Sequence, residues 1–224
     1  MMEKIQMSPV VLSPGKRKIT VFGGGRVALR KCQHFDGFRI KVVADAVLPE
    51  LRDIVDEVIL EKVDPTTAGR YMEGADIVVA ATSDHALNDS IRDISMGKGI
   101  MTNSAHGGGD LLIPSVLRRD GYTVTVSSEG RVPAFPPYVI RMLDGFLDES
   151  YDRMLELLVR IRPIVKERIA AQPDRARILA MTPADLTAWL DTLTALADGG
   201  AVCIVGHEEA VKAAGEGMEV VNLA

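Results

Sequence analysis

Three consecutive glycines, Gly23-Gly24-Gly25, separate an apolar run at 19–22 from a helix-forming run that begins at Arg26. Gly23, Gly25 and Ala28 have the spacing G-x-G-x-x-G/A, and each position has a physical task. The first glycine lets the chain turn sharply out of a strand. The second lets a phosphate reach the backbone without meeting a Cβ. A small third residue lets the following helix pack on the strand. The amides and positive dipole end of that helix then face the phosphates. Asp45 closes the next strand-like run, at 39–44. A carboxylate there accepts hydrogen bonds from a ribose diol and repels a 2′-phosphate, which favours NAD over NADP. The cofactor site read from these residues comprises Gly23, Gly24, Gly25, Arg26, Val27 and Asp45. Thr82 and Asp84, at the end of a later apolar run at 76–81, are read into the same site.

Other side chains suggest further chemistry. His85, His106, Asp84 and Asp110 could gather at one sheet edge, but they form no compact ligand motif, so no metal site is expected. His106 is a candidate for substrate contact or proton handling, against the alternative of a solvated loop histidine beside three glycines. Arg118, Arg119, Arg131, Arg141 and Arg153 offer bidentate forks for carboxylates. Asp120, Asp144 and Asp148 are interspersed among them, so they make no basic patch.

The elements that must position these residues alternate. Strands are predicted at 19–22, 39–44, 57–60, 76–81 and 99–102. Helices are predicted at 26–34, 49–55, from Asp64-Pro65 onward, and at 86–96. The unbroken apolar character of 76–81 suits a parallel strand covered on both faces. The fold class is therefore α/β, a Rossmann-type doubly wound parallel sheet. Beyond Gly107 the pattern changes to short strands at 111–114 and 122–127 and a helix at 133–143. Helices at 151–170 and 182–197 follow, and the tail suggests a strand at 201–205 and a helix at 208–214. The expected domains are an NAD-binding domain at 1–112, a small strand region at 113–146 and a mostly helical domain at 147–224.

Composition limits the partners. The chain has 224 residues and a net charge of −5, which argues against a nucleic-acid binder. Two cysteines, Cys32 and Cys203, far apart in sequence, suggest reduced thiols rather than a disulfide framework. No apolar run has the roughly 20 residues needed to span a bilayer, and residues 1–7 lack a signal-peptide core. A cytoplasmic protein without a membrane partner is expected.

Four segments carry a resemblance. Val21-Phe-Gly-Gly-Gly-Arg-Val-Ala-Leu-Arg-Lys31 resembles the G-G-G-x-V-A-x-R-K opening of the siroheme synthase N-terminal family. Val79-Ala-Ala-Thr-Ser-Asp-His-Ala-Leu-Asn88 resembles its A-A-T-x-D-x-x-x-N segment. Leu112-Ile-Pro-Ser115 resembles its F-x-x-P-S strand, and Val124-Thr-Val-Ser-Ser-Glu-Gly-Arg-Val-Pro133 its V-x-S-x-G-G-x-S-P loop. The family comprises precorrin-2 dehydrogenases, some of which are also sirohydrochlorin ferrochelatases. The resemblance covers about residues 9–145. It implies NAD-dependent oxidation of precorrin-2 to sirohydrochlorin in siroheme or related tetrapyrrole biosynthesis, by a homodimer in which 113–146 serves dimerisation and the active site and the C-terminal domain is helical. It also implies substrate contacts from Asn103, Ser128, Gly130 and Arg131, and catalytic roles for Ser104 and His106.

The sequence departs from the family in two places. Counting back from Leu112-Ile-Pro-Ser115, the Asp that bifunctional members carry after the fifth strand falls on Ser104. Serine is a poor base near pH 7, so oxidation without efficient chelation is the leading reading. A bifunctional enzyme in which His106 or Asp110 replaces that Asp is the first alternative, and an NAD-sensing regulatory module the second. In the loop, Glu129 and Arg131 replace small residues, and Val132 replaces the Ser before Pro133.

Overall fold

The computed structural model describes residues 7–168, 180, 202–205 and 219–222. Its first part is a five-stranded sheet made of β1 (Lys18–Phe22), β2 (Arg39–Ala44), β3 (Glu57–Leu60), β4 (Ile77–Ala80) and β5 (Met101–Ser104). The order is β3-β2-β1-β4-β5, and every neighbouring pair is parallel. The chain steps outward from β1 through β2 to β3, crosses back to β4, and continues to β5. Its winding therefore reverses between β1 and β4, the place where doubly wound sheets bind ligands beyond their carboxyl ends.

Successive strand residues feed opposite faces. Ile19, Val21, Val42 and Val79 pack with Ala28 and Cys32 of α1 (Arg26–Cys32) and Leu51 of α2 (Pro49–Arg52). Phe22, Val43, Val78 and Ala80 pack with Ala68 and Tyr71 of α3 (Ala68–Tyr71) and Ile91 of α4 (His85–Gly97). All four residues of β4 are buried, as the unbroken apolar run requires.

Local details of the sheet differ from the sequence expectation. Asp64 receives hydrogen bonds from the amides of Thr66 (2.8 Å) and Thr67 (2.9 Å), yet the helix starts only at Ala68, after a turn. The fifth strand begins at Met101 rather than Gly99. Gly99 lies at φ +72°, and the Ile100 amide bonds back to the Ser95 carbonyl, so both residues close α4. Ser104 is consequently the last residue of the strand.

The described residues fall into two compact units, divided at 115/116, 125/126 and 137/138. The sheet belongs to the first. The second holds most of a two-stranded hairpin, β6 (Ser115–Arg118) and β7 (Thr123–Val126), turned at Asp120-Gly121 by the Arg119 amide on the Tyr122 carbonyl. The strand expected at 111–114 lies instead beyond Pro114. Leu111 is tied to β5, its amide donating to the Thr102 carbonyl. The hairpin is followed by α5 (Phe135–Phe146) and α6 (Glu149–Arg168). Farther on, β8 (Val202–Val205) pairs in parallel with β9 (Glu219–Asn222). The helices expected at 182–197 and 208–214 lie outside the described residues. Among the described residues, no helix is long and apolar enough to cross a membrane.

Candidate active site

A cleft of about 420 Å³ opens at the carboxyl ends of β1, β2 and β4, lined in part by Gly23 to Val27, Asp45, Thr82 and Asp84. The three glycines have different reasons to be glycine. Gly23 lies at φ +114°, and a Cβ there would run into the Ala81 carbonyl and come within 3.0 Å of the Thr82 amide nitrogen. Gly24 would drive a Cβ into the Ala46 carbonyl and to 2.8 Å from the Val47 Cα. Gly25 has an ordinary extended backbone (φ −92°, ψ −170°), and its Cβ would meet nothing within 4 Å. Only at Gly25 is the missing side chain not required by the fold itself. Gly25 is also the N-cap of α1, with no side-chain cap in place. Ala28, fully buried, is the small residue through which α1 reaches the sheet.

Asp45 is exposed at the end of β2 and lines the cleft. Glu61, Lys62 and Val63, which follow β3, line the same edge and were not singled out by sequence. Their signal was available, because they follow β3 as Asp45 follows β2. The Glu61 carboxylate accepts from Arg70 and the Tyr71 hydroxyl, which ties it to α3. Thr82 and Asp84 border the cleft but also have structural tasks. The Asp84 carboxylate caps α4 by accepting from the Leu87 amide at 3.1 Å. Thr82 is clasped by Asn88, which accepts from its amide and donates to its carbonyl, both at 3.0 Å.

The end of β5 holds the other sequence-derived candidates. Asn103 is buried, and its side-chain amide makes two hydrogen bonds inside the fold. It accepts from the Lys31 ammonium and donates to the Leu111 carbonyl at 2.8 Å. Burial, with Arg30 adding to it, holds the Lys31 ammonium below the usual lysine range. Ser104 is only 8% exposed, paired with Ala80 of β4. Asp110 accepts from the Thr102 amide at 2.6 Å and so anchors the segment after β5. His106 is exposed just past the strand. Its ring stacks on His85 at 3.4 Å between centroids, and its Nδ1 lies 3.0 Å from the Asn88 amide nitrogen. Among the described residues, no group of three or more His, Cys, Asp or Glu gathers as a metal site would need.

The loop after β7 closes on itself. The Ser128 hydroxyl accepts from the Val132 amide at 3.3 Å and donates to the Val132 carbonyl at 3.1 Å. Gly130 lies at φ +78°, and Glu129 takes a left-handed φ of 54° without being glycine. Arg131 reaches back to Glu129 at 3.3 Å with a side chain more than half exposed.

Comparison with known proteins agrees with this geometry. Residues 10–115 match NAD_binding_7, an NAD(P)-binding family. A precorrin-2 dehydrogenase of Methanosarcina barkeri is 31% identical over 189 residues, covering 81% of this chain and 84% of that protein. A siroheme synthase of Nitrosococcus oceani is 27% identical over 74% of this chain, but the chain spans only 36% of that longer protein. Among solved structures, SirC, a precorrin-2 dehydrogenase, superposes with a TM-score of 0.65 at 22% identity, over 84% of this chain and 99% of its own, which bears on the fold. The bare backbone at Gly25 fits a dinucleotide, and NAD is the cofactor. From the match to the Methanosarcina barkeri protein, taken with the glycine cradle and the strand order, the chain belongs to the precorrin-2 dehydrogenase family.

Proposed function

We propose that this protein oxidises precorrin-2 to sirohydrochlorin with NAD and does not accelerate metal insertion. The observation that carries the reading is the open backbone at Gly25, set where the winding of the sheet reverses. Its glycine cradle and the first-turn amides of α1 receive the pyrophosphate, and Asp45 holds the adenosine ribose and disfavours NADP. NAD, when bound, supplies the acceptor for a two-electron oxidation. One hydride and one proton leave the macrocycle, and its conjugation extends. The protein's part is to bind, orient and exclude.

Ser104 and His106 mark the substrate side at the end of β5. Ser128, Gly130 and Arg131 form the loop that meets the substrate's carboxylates, with the Arg131 fork as the charged contact. Asn103 supports the substrate side indirectly by holding the end of β5 to Lys31 and Leu111. Metal insertion requires a group to take up pyrrole protons, and Ser104 stays neutral near pH 7. Asp110, the other nearby candidate, uses one carboxylate oxygen to accept from the Thr102 amide.

The working form is a homodimer. Support comes from α5, where Phe135, Tyr138, Met142 and Phe146 recur at helical spacing and are each more than half exposed. A cytoplasmic setting suits Cys32, a buried free thiol.

The test is an anaerobic absorption time course with precorrin-2 and NAD, first without and then with Co²⁺. Oxidation before metal is added, and insertion no faster than without protein, is the expected result. Absence of oxidation, or insertion accelerated by the protein, would refute the proposal.

A further inference from the structure

The contacts of Asn88 reach beyond Thr82 to the substrate side. Asn88 is fully buried in the first turns of α4. Its Oδ1 accepts from the Thr82 amide at 3.0 Å and from the Thr82 hydroxyl at 2.9 Å. Its Nδ2 donates to the Thr82 carbonyl at 3.0 Å and lies 3.0 Å from His106 Nδ1. A backbone N–H only donates and a backbone carbonyl only accepts. Turning the Asn88 amide over would set N–H against N–H and oxygen against oxygen at Thr82, so its orientation is fixed. The group facing His106 Nδ1 is therefore a donor, and Nδ1 must offer its lone pair. A neutral imidazole carries one N–H, which then sits on Nε2.

Protonating Nδ1 would oppose two donors and lose the Asn88 bond. The His85 ring, stacked at 3.4 Å and 26°, holds the plane of the imidazole in place. Resting on the reading of His106 as a substrate-side residue, we infer that Asn88 is a positioning residue that locks His106 in the Nε2–H tautomer, so that His106 meets a substrate carboxylate as a hydrogen-bond donor and does not serve as a base. The lone pair that could take a pyrrole proton is already committed. This removes His106 as a substitute for the family's chelatase carboxylate, independently of Ser104.

The lock is read by long-range ¹H–¹⁵N correlation on the full chain labelled with ¹⁵N-histidine near pH 8, with His106 assigned by the signal lost in His106→Gln. The expected spectrum has Nδ1 in the unprotonated, pyridine-like range and Nε2 in the pyrrole-like range. An Nδ1–H spectrum, or an even mixture of tautomers, would overturn the lock. Asn88→Asp removes the donor and should move His106 to Nδ1–H or imidazolium; an unchanged His106 pattern in a folded variant would overturn it as well. If that variant does not fold, His106→Ala and His106→Gln decide the donor role. Ala should raise KM for precorrin-2 about tenfold or more, the effect of losing a hydrogen bond to a charged group. Gln, a donor that cannot take up a proton, should recover most of that rise with the Kd for NAD unchanged. Equal impairment in both variants would overturn the donor role. An Nε2–H spectrum with unaltered His106→Ala kinetics would instead refute the substrate-side reading while leaving the lock in place.

Discussion

Replacing Gly25 and Gly24 in turn by alanine should separate binding from folding. At Gly25 the added methyl meets nothing within 4 Å, and the backbone is one that alanine adopts freely. Alanine at this N-cap costs roughly 0.5–1 kcal/mol relative to glycine. Restricting the unfolded chain returns about 0.4–1 kcal/mol. The net change is near zero, and the melting temperature should stay within about 2 °C. The same methyl occupies the space that a phosphate oxygen needs to come within about 3 Å of the backbone amides. Loss of one charge-assisted hydrogen bond, about 1.5–3 kcal/mol, weakens NAD roughly 10- to 150-fold.

At Gly24 the order reverses. The methyl would overlap the Ala46 carbonyl and sit 2.8 Å from the Val47 Cα, both backbone atoms that cannot step aside alone. Overpacking of this kind costs about 2–3 kcal/mol, or roughly 4–12 °C of melting temperature for a chain of this size. NAD titration by calorimetry and thermal unfolding followed by circular dichroism check both variants. A Gly25→Ala protein that binds NAD as the wild type does would refute the cradle. A Gly24→Ala protein of wild-type stability would refute the packing argument.

Asp45→Ala should weaken NAD and narrow its advantage over NADP by about tenfold or more, read from the two Kd values; unchanged preference would remove Asp45 from the ribose site. Glu129→Gly should stabilise the protein by about 0.5–1 kcal/mol. It relieves a left-handed non-glycine residue and loses only an exposed ion pair to Arg131 at 3.3 Å, and denaturant unfolding measures the change. Burial pushes the Cys32 thiol up to about 12, so at pH 8 it remains protonated and should resist alkylation until the protein is unfolded. Rapid native labelling of Cys32, located by mass spectrometry, would contradict that.

The part of the fold that positions the cofactor was legible because its demands are local. Gly23 needs a positive φ, Ala28 must be small, and β4 must be apolar on both faces. The demand on Gly24 was not legible, since it comes from Ala46 and Val47 after the next strand, which only the folded chain brings near. The fifth strand was displaced in the sequence reading because Gly99 and Ile100 look like its start, whereas they close α4 through Ser95. That displacement hid the fact that Ser104 is inside the strand and His106 beyond it. Asn103 reads as a polar residue near the site, and its bonds to Lys31 and Leu111, partners distant in sequence, show only in the folded chain. Asn88, whose amide joins Thr82 to His106, carries no signal of that role in its local sequence.

Coupling of precorrin-2 oxidation to NAD reduction is this chain's activity. Its most direct test is an anaerobic reaction, free of added metal, in which NADH and sirohydrochlorin are quantified together. The two should form in equimolar amounts, and a Gly25→Ala protein should need roughly 10- to 150-fold more NAD to reach the same rate. NADH without sirohydrochlorin, sirohydrochlorin without NADH, or neither product at saturating NAD would contradict it.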